Sequence, residues 1–100
     1  MLSFIPKNPH TLMQELSQRF KARRSTLKYT QKELSTRSGV SLGSLKRFES
    51  SGQISLESLL KLALVLECLG DFEGVCGERE RVPKSLDEVL DGKINDAILD

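Results

Sequence analysis

The sequence predicts an all-α fold, and three observations lead to this fold class. Leucine dominates the apolar residues while aromatic residues make up only 5% of the chain, a composition that suits helices better than sheets. Apolar residues recur at intervals of three and four, the spacing of an amphipathic helix. Helix-capping residues precede the apolar stretches. A chain of 100 residues fits one small domain with one core, which is too small for a large enzyme.

The N-terminal part is predicted to be an arm, residues 1–8, followed by a long helix. Asn8 is a favourable N-cap and Pro9 suits the first helical position, so we expect helix 1 to cover about residues 9–24. Its apolar positions fall at i, i+4 and i+8 of one face. We therefore expect this face to be buried through Leu12, Leu16 and Phe20.

Residues 30–49, TQKELSTRSGVSLGSLKRFE, predict two short helices joined by a tight turn. Thr30 and Glu33 can form a capping box at the start of the first. Gly39 tolerates the positive φ that a sharp turn needs, and Ser41 can cap the second helix. We expect helix 2 at residues 31–38, helix 3 at about residues 42–50, and a core that includes Leu34, Val40, Leu45 and Phe48.

The Leu-rich stretch that follows predicts a central helix. Ser55 is its N-cap, and its apolar residues extend almost all the way round, so we expect helix 4 at about residues 56–69, buried on more than one side. Asp71 can then cap a short helix 5 at about residues 72–76. On that helix Phe72 and Val75 are candidates for a dimer seam or for contact with a partner; alternatively they only close the monomer core.

The domain with these five helices is predicted to span residues 9–77, and residues 78–100 form an acidic C-terminal extension. A second capping box, Ser85 with Glu88, predicts a short helix at about residues 86–90. The acidic tail after it is either disordered or a helix that forms on a partner.

Charge is divided unevenly between the two halves of the chain. Residues 1–50 contain ten lysines and arginines against three glutamates, a net charge of +7, whereas residues 51–100 contain five against eleven acidic residues, a net charge of −6. A basic surface is the electrostatic signature of nucleic-acid binding, and the acidic half must then face away from phosphate. The alternative is that both halves are ordinary solvated surface.

Several other function classes lack support in the sequence. His10 is the only histidine, and two cysteines, Cys68 and Cys76, are too few for a structural zinc site. One terminal histidine does not complete a catalytic triad, and no Walker-type phosphate loop occurs. We expect neither a cofactor nor enzyme activity. Without a membrane-length apolar run or a secretory signal, we expect a cytoplasmic protein, in which Cys68 is a small core residue and not one of a functional thiol pair.

The stretch 30–49 resembles the helix-turn-helix of the XRE family, the Cro- and cI-like phage repressors. The matching residues are Thr30 to Glu33 with Leu34, then Ser35, Gly39-Val40-Ser41, and Leu45 to Glu49, and the likeness extends over flanking helices from about residue 12 to 69. The resemblance implies a five-helix, lambda-repressor-like DNA-binding domain. The alternative is an αα-hairpin in an ordinary helical bundle.

The resemblance also implies roles for individual residues. Helix 3 would face the bases with Leu42, Gly43, Ser44 and Arg47, of which Arg47 can donate to guanine and Leu42 can contact a thymine methyl. Gly43 either lets the backbone approach a base closely or signals poor readout. The phosphate candidates are Gln31, Ser41, Lys46, Arg23, Lys28 and Lys32; for Lys32, as for Arg37, a solvated face is equally compatible. Arg24 and Glu49 would form an ion pair between helices 1 and 3.

Within the XRE family the sequence is similar to the HipB-type antitoxins, through residues 54–57, 69–73 and 83–88. That likeness implies a homodimer that represses its own operon from a palindromic operator in double-stranded DNA, and a HipA-like kinase toxin as partner. The alternatives are a stand-alone or phage-type repressor without a toxin, and a protein-binding adaptor that does not bind DNA.

Overall fold

The computed structural model describes residues 8–78, whose regular secondary structure is helical, with no strand in this range. The four α-helices are α1 (Pro9–Thr26), α2 (Gln31–Ser38), α3 (Leu42–Ser51) and α4 (Leu56–Val65), followed by a 3₁₀ helix at Leu69–Phe72. Residues 1–7 of the predicted arm and residues 79–100 of the predicted acidic extension, including the predicted helix at 86–90, lie outside the described residues. Within this range no helix is both long and apolar enough to span a membrane.

The start of each α-helix follows the capping residues in the sequence. Asn8, Thr30, Ser41 and Ser55 are the N-caps, and each side chain accepts a hydrogen bond from a backbone N–H of the first turn. These bonds satisfy donors that a helix start leaves unpaired. The predicted starts of helices 1 to 4 are therefore confirmed.

The ends of α1 and α4 differ from the prediction, and neither helix ends at a glycine. Lys28 and Glu67 adopt left-handed backbone conformations, with φ of 63° and 64°. After α1, the N–H groups of Lys28 and Tyr29 donate to Ser25 and Arg24; after α4, those of Glu67 and Cys68 donate to Leu64 and Ala63. Both are Schellman motifs, which glycine usually forms. Thus α1 runs two residues past Arg24, and α4 ends four residues before Leu69.

The predicted fifth α-helix at residues 72–76 is wrong. In its place the chain forms the 3₁₀ helix at Leu69–Phe72 and a series of turns. A five-residue segment has too few hydrogen bonds to nucleate a helix, and Gly74 in its centre lowers helix propensity further. The domain therefore has four α-helices in the described range and not five.

The core lies between α1, α2, α3 and α4. The buried apolar residues are Phe20, Leu34, Val40, Leu45, Phe48, Leu62, Ala63 and Leu66. The rings of Phe20 and Phe48 pack edge to face, with centroids 5.5 Å apart at an interplanar angle of 89°. This edge-to-face packing is a favourable aromatic geometry, and it joins α1 to α3. Leu34, Val40, Leu45 and Phe48 are buried as predicted.

Two predicted burial patterns need correction. On α1, Leu12 is 41% exposed and Leu16 is half-buried, while Ser17 is buried. On α4, Leu56 and Leu64 are 69% and 64% exposed. Helix α4 is therefore buried on one side only and presents an apolar surface to the outside.

Candidate nucleic-acid interface

The turn between α2 and α3 is held by hydrogen bonds from side chains. Gly39 has a φ of 80° and nothing lies within 4 Å of where its Cβ would be, so glycine is required here for its backbone conformation and not for lack of space. The Ser35 hydroxyl donates to the Val40 carbonyl at 2.6 Å, and the Val40 N–H donates to the Ser38 hydroxyl at 3.1 Å. These bonds fix the angle between the two helices.

At the start of α2 the capping box is complete. The Glu33 N–H donates to Thr30 Oγ1 at 3.0 Å, and the Thr30 N–H donates to Glu33 Oε1 at 2.8 Å. This reciprocal pair fixes the first turn of α2 and with it the position of Gln31.

Helix α3 has an apolar face and a polar face. Leu45 and Phe48 are buried, whereas Gly43, Ser44, Lys46 and Arg47 are exposed and Leu42 is half-buried. Ser41 Oγ caps the helix by accepting from the Ser44 N–H at 3.1 Å, and it donates to Ser44 Oγ at 2.9 Å. The structure thus brings the four predicted base-facing residues onto one helix whose opposite side is anchored in the core.

Directly beneath α3 lies the ion pair of Arg24 and Glu49. Arg24 Nε is 2.8 Å from Glu49 Oε2 and Arg24 Nη2 is 3.0 Å from Glu49 Oε1, a bidentate arrangement. The side chains are only 12% and 4% exposed. Arg24 Nη1 also donates to the Tyr29 carbonyl at 2.9 Å, so the pair joins α1, α3 and the α1–α2 connector.

The side-chain amide of Gln31 belongs to the same network. Gln31 Nε2 donates to Glu49 Oε1 at 2.9 Å. The amide therefore keeps a second N–H for a phosphate oxygen, and the backbone N–H of Gln31 lies at the positive end of α2. Glu49 orients the residue that the sequence predicts as a phosphate contact.

The guanidinium of Arg47 has a partner that the sequence did not indicate. Arg47 Nη2 donates to Gln53 Oε1, which lies on the loop that follows α3. Both side chains are exposed. Gln53 lies beyond the end of the helix and outside its periodicity, so no pattern in the sequence pairs it with Arg47.

A family model described as helix-turn-helix matches residues 20–71, more than half of the chain. The chain belongs to the XRE-type helix-turn-helix family. The matched segment begins at Phe20 in α1 and ends in the 3₁₀ helix, so it includes the ion pair and all of α2 to α4. No solved structure matches the chain.

As a member of this helix-turn-helix family, the protein is a DNA-binding transcription regulator; the family is one of regulators and not of enzymes.

Lys28, Lys32 and Lys46 are exposed on the connector, on α2 and on α3, where phosphate could reach them. Arg37 lies over the Tyr29 ring with 4.8 Å between its Cζ and the centroid, so this cation packs on an aromatic face instead of being merely solvated.

Arg23 has a structural contact in this helix-turn-helix domain. Its Nη1 donates to the Leu66 carbonyl at 3.1 Å, which satisfies an acceptor at the end of α4. The same cation lies near Cys68, whose pKa is raised by burial, an effect that Arg23 opposes and Asp71 reinforces. The Cys68 thiol is therefore less readily ionised than an ordinary thiol, which agrees with a structural residue.

The two residues predicted for a dimer or partner contact have different environments. Phe72 is half-buried, and its ring centroid is 6.3 Å from that of Phe20. Val75 is 66% exposed. Both line an apolar groove of about 460 Å³, together with Leu56, Leu60, Leu69 and Glu73. We call this surface the α4 groove.

Proposed function

We propose that this protein is a sequence-specific transcriptional repressor that binds a palindromic operator as a homodimer. The observation that carries the proposal is the two-sided character of α3, in which Leu45 and Phe48 are buried while the opposite face is polar and exposed. A helix anchored in this way can enter the major groove with its N-terminal residues against base edges. The capped α2 beside it presents Gln31 to the DNA backbone.

Base contacts are proposed for Leu42, Gly43, Ser44 and Arg47. Arg47 has five donors and can bind guanine O6 and N7, a contact that provides about 1–3 kcal/mol of discrimination. Gly43 has nothing within 4 Å of its Cβ position, so packing inside the protein does not require glycine there. This supports the interpretation that the glycine allows a close approach between α3 and a base.

Phosphate contacts are proposed for Gln31, Ser41, Lys46, Lys28 and Lys32. For Arg23 the hydrogen bond to the Leu66 carbonyl favours a structural role, with any phosphate contact secondary. Phosphate contacts position the protein and carry little sequence information. We therefore expect these residues to set affinity and salt dependence, and the exposed face of α3 to set sequence preference.

The proposed dimer seam is the α4 groove, and its proposed occupant is a second copy of this chain. Leu56 and Val75 at its rim are exposed apolar side chains, and such side chains gathered around one groove are typical of an interaction surface. A palindromic operator needs a two-fold symmetric protein.

The dimer seam is tested by sedimentation equilibrium. Val75→Glu should shift the protein to monomer without loss of helicity, whereas Leu12→Gln on α1 should leave it dimeric. A Val75→Glu protein that stays dimeric would exclude this seam.

The finer proposal is that the protein is the antitoxin of a HipBA-like system, with a HipA-like kinase toxin as partner and an autoregulated operon. The likeness of residues 54–57 and 69–73 to HipB-type antitoxins supports it, and residues 69–73 include part of the α4 groove. A kinase-like adjacent open reading frame whose product co-purifies with the protein is the expected result. An isolated gene or a phage context would favour a stand-alone repressor.

The test of DNA binding begins with selection of duplexes from a random pool. The selected operator and a scrambled duplex are then titrated with the wild-type protein at several salt concentrations. We expect tight, salt-dependent binding with preference for the operator, since phosphate contacts release counterions. If the wild type prefers no sequence, the repressor proposal fails and the protein-binding adaptor is favoured.

A further inference from the structure

Gln53 and Arg47 are joined by a closed set of hydrogen bonds at the end of α3. The Gln53 N–H donates to Ser51 Oγ at 3.2 Å, and the Ser51 hydroxyl donates to the Arg47 carbonyl at 2.7 Å. Arg47 Nη2 in turn donates to Gln53 Oε1. The connection therefore runs from the Arg47 backbone through the loop and back to the Arg47 guanidinium.

The backbone on which Gln53 stands is itself fixed. Gly52 is buried and has a φ of 84°. A Cβ at Gly52 would be only 3.0 Å from the backbone C and O atoms of Met13, so α1 lies directly against this turn. Because α1 and the left-handed glycine hold the turn, the backbone of Gln53 is fixed, and its side-chain amide accepts from Arg47 from this defined position.

A hydrogen-bond acceptor in a defined position can order the long, exposed side chain of Arg47 before DNA binds. An arginine that binds a base loses rotamer freedom, and this loss weakens binding unless the side chain is already ordered. Gln53 Oε1 engages only one of the five guanidinium donors, so the remaining donors can still form a bidentate contact. The arrangement orders Arg47 without occupying all of its fork.

We propose that Gln53 is a positioning residue that orders Arg47 before DNA binding and thereby sharpens sequence preference at the base pair that Arg47 contacts. The inference rests on the proposed function, in which Arg47 contacts a base. Gln53 acts through Arg47 and needs no contact with DNA. Its effect on base preference must therefore vanish when Arg47 is absent.

The test is a double-mutant cycle with wild type, Gln53→Ala, Arg47→Ala and the double variant. Each protein is titrated with the selected operator, with operators substituted at single base pairs, and with the scrambled duplex. Gln53→Ala should lower the preference at the Arg47 base pair by about 2- to 10-fold, the effect of one ordinary hydrogen bond. Binding to the scrambled duplex and the thermal midpoint should not change. In the Arg47→Ala background, Gln53→Ala should have no further effect.

A matched control is Gln18→Ala, which removes an exposed amide of the same size from α1, outside the helix-turn-helix. It should change none of these quantities. Equal weakening of operator and scrambled binding by Gln53→Ala would make Gln53 a phosphate contact and overturn the proposal. Tighter operator binding would make Gln53 a latch that restrains Arg47, which overturns it as well.

Failure of the inference and failure of the proposed function are distinguishable. If Arg47→Ala lowers preference at one base pair while Gln53→Ala does not, only the role of Gln53 is wrong. If Arg47→Ala leaves every base preference intact, the assignment of Arg47 is wrong, and the role of Gln53 fails with it.

Discussion

Helix α3 separates two arginine contacts that look alike in chemistry and differ in environment. Beneath the helix, Arg24 donates to Glu49, and the two side chains are 12% and 4% exposed. On its outer side, Arg47 donates to Gln53, and both side chains are exposed. Burial makes the first contact a part of the fold, whereas exposure leaves the second available for a ligand.

The difference follows from the cost of removing charge from water. A buried charge that loses its partner is left without solvation, so truncation of one member is expensive. An exposed guanidinium that loses a partner is hydrated instead, and stability changes little. Substitution of the buried Arg24 or Glu49 should therefore lower the free energy of unfolding. Substitution of the exposed Arg47 should instead change the affinity for DNA.

The largest expected effect is on the buried side. Glu49→Ala should lower the free energy of unfolding by about 3–5 kcal/mol, because it leaves Arg24 buried without its carboxylate. The measurement is denaturant unfolding followed by circular dichroism. Glu57→Ala is the matched control, since Glu57 pairs with Lys61 at 3.1 Å on the exposed side of α4 and should matter by less than about 1 kcal/mol. Similar small losses in both variants would mean that burial does not distinguish the two pairs.

The next effect is on the exposed side. Arg47→Ala should weaken binding to the selected operator by about 1–3 kcal/mol and relax preference at one base pair per half-site. The free energy of unfolding should stay within about 0.5 kcal/mol of wild type, as for other surface substitutions. Titration of operator and scrambled duplex provides the measurement. Equal losses on the two duplexes would identify Arg47 as a phosphate clamp.

A third variant separates affinity from preference on the same helix. Lys46→Ala should weaken operator and scrambled binding about equally. It should also reduce the salt slope by roughly 0.9 for each lost phosphate contact, or about 1.8 for a dimer. Lys61→Ala on α4 is the control and should leave the slope unchanged. A loss confined to the operator would assign Lys46 to base contact.

The smallest effect concerns Gly43. Gly43→Ala should raise the free energy of unfolding by about 0.5–1 kcal/mol, because alanine is the better helix former and the Cβ position is open. Operator binding should weaken at the same time, since in the proposed DNA complex the added methyl group would lie between α3 and a base. Unfolding and titration of one preparation give both values. Unchanged or tighter binding would exclude the close approach.

The N-terminal boundaries of α1 to α4 and the turn between α2 and α3 were predictable from the sequence. Asn8, Thr30, Ser41 and Ser55 accept from N–H groups three residues away, and Gly39 acts on its own backbone. Such interactions are local, so residue type and spacing define them. The helix-turn-helix and its family membership follow from the same short-range pattern.

The tertiary structure decided what depends on distant parts of the chain. Arg23 donates to Leu66, 43 residues away, and Gln31 donates to Glu49, 18 residues away. The outward face of α4 also had no signature, because leucines at buried and exposed positions are chemically identical. Long-range packing sets which side of a helix is covered and which acceptor a long side chain reaches. Residue spacing within one segment predicts the buried face where apolar and polar residues occupy different faces, as on α3, but not on the mostly apolar α4, and it does not indicate which distant acceptor a side chain reaches.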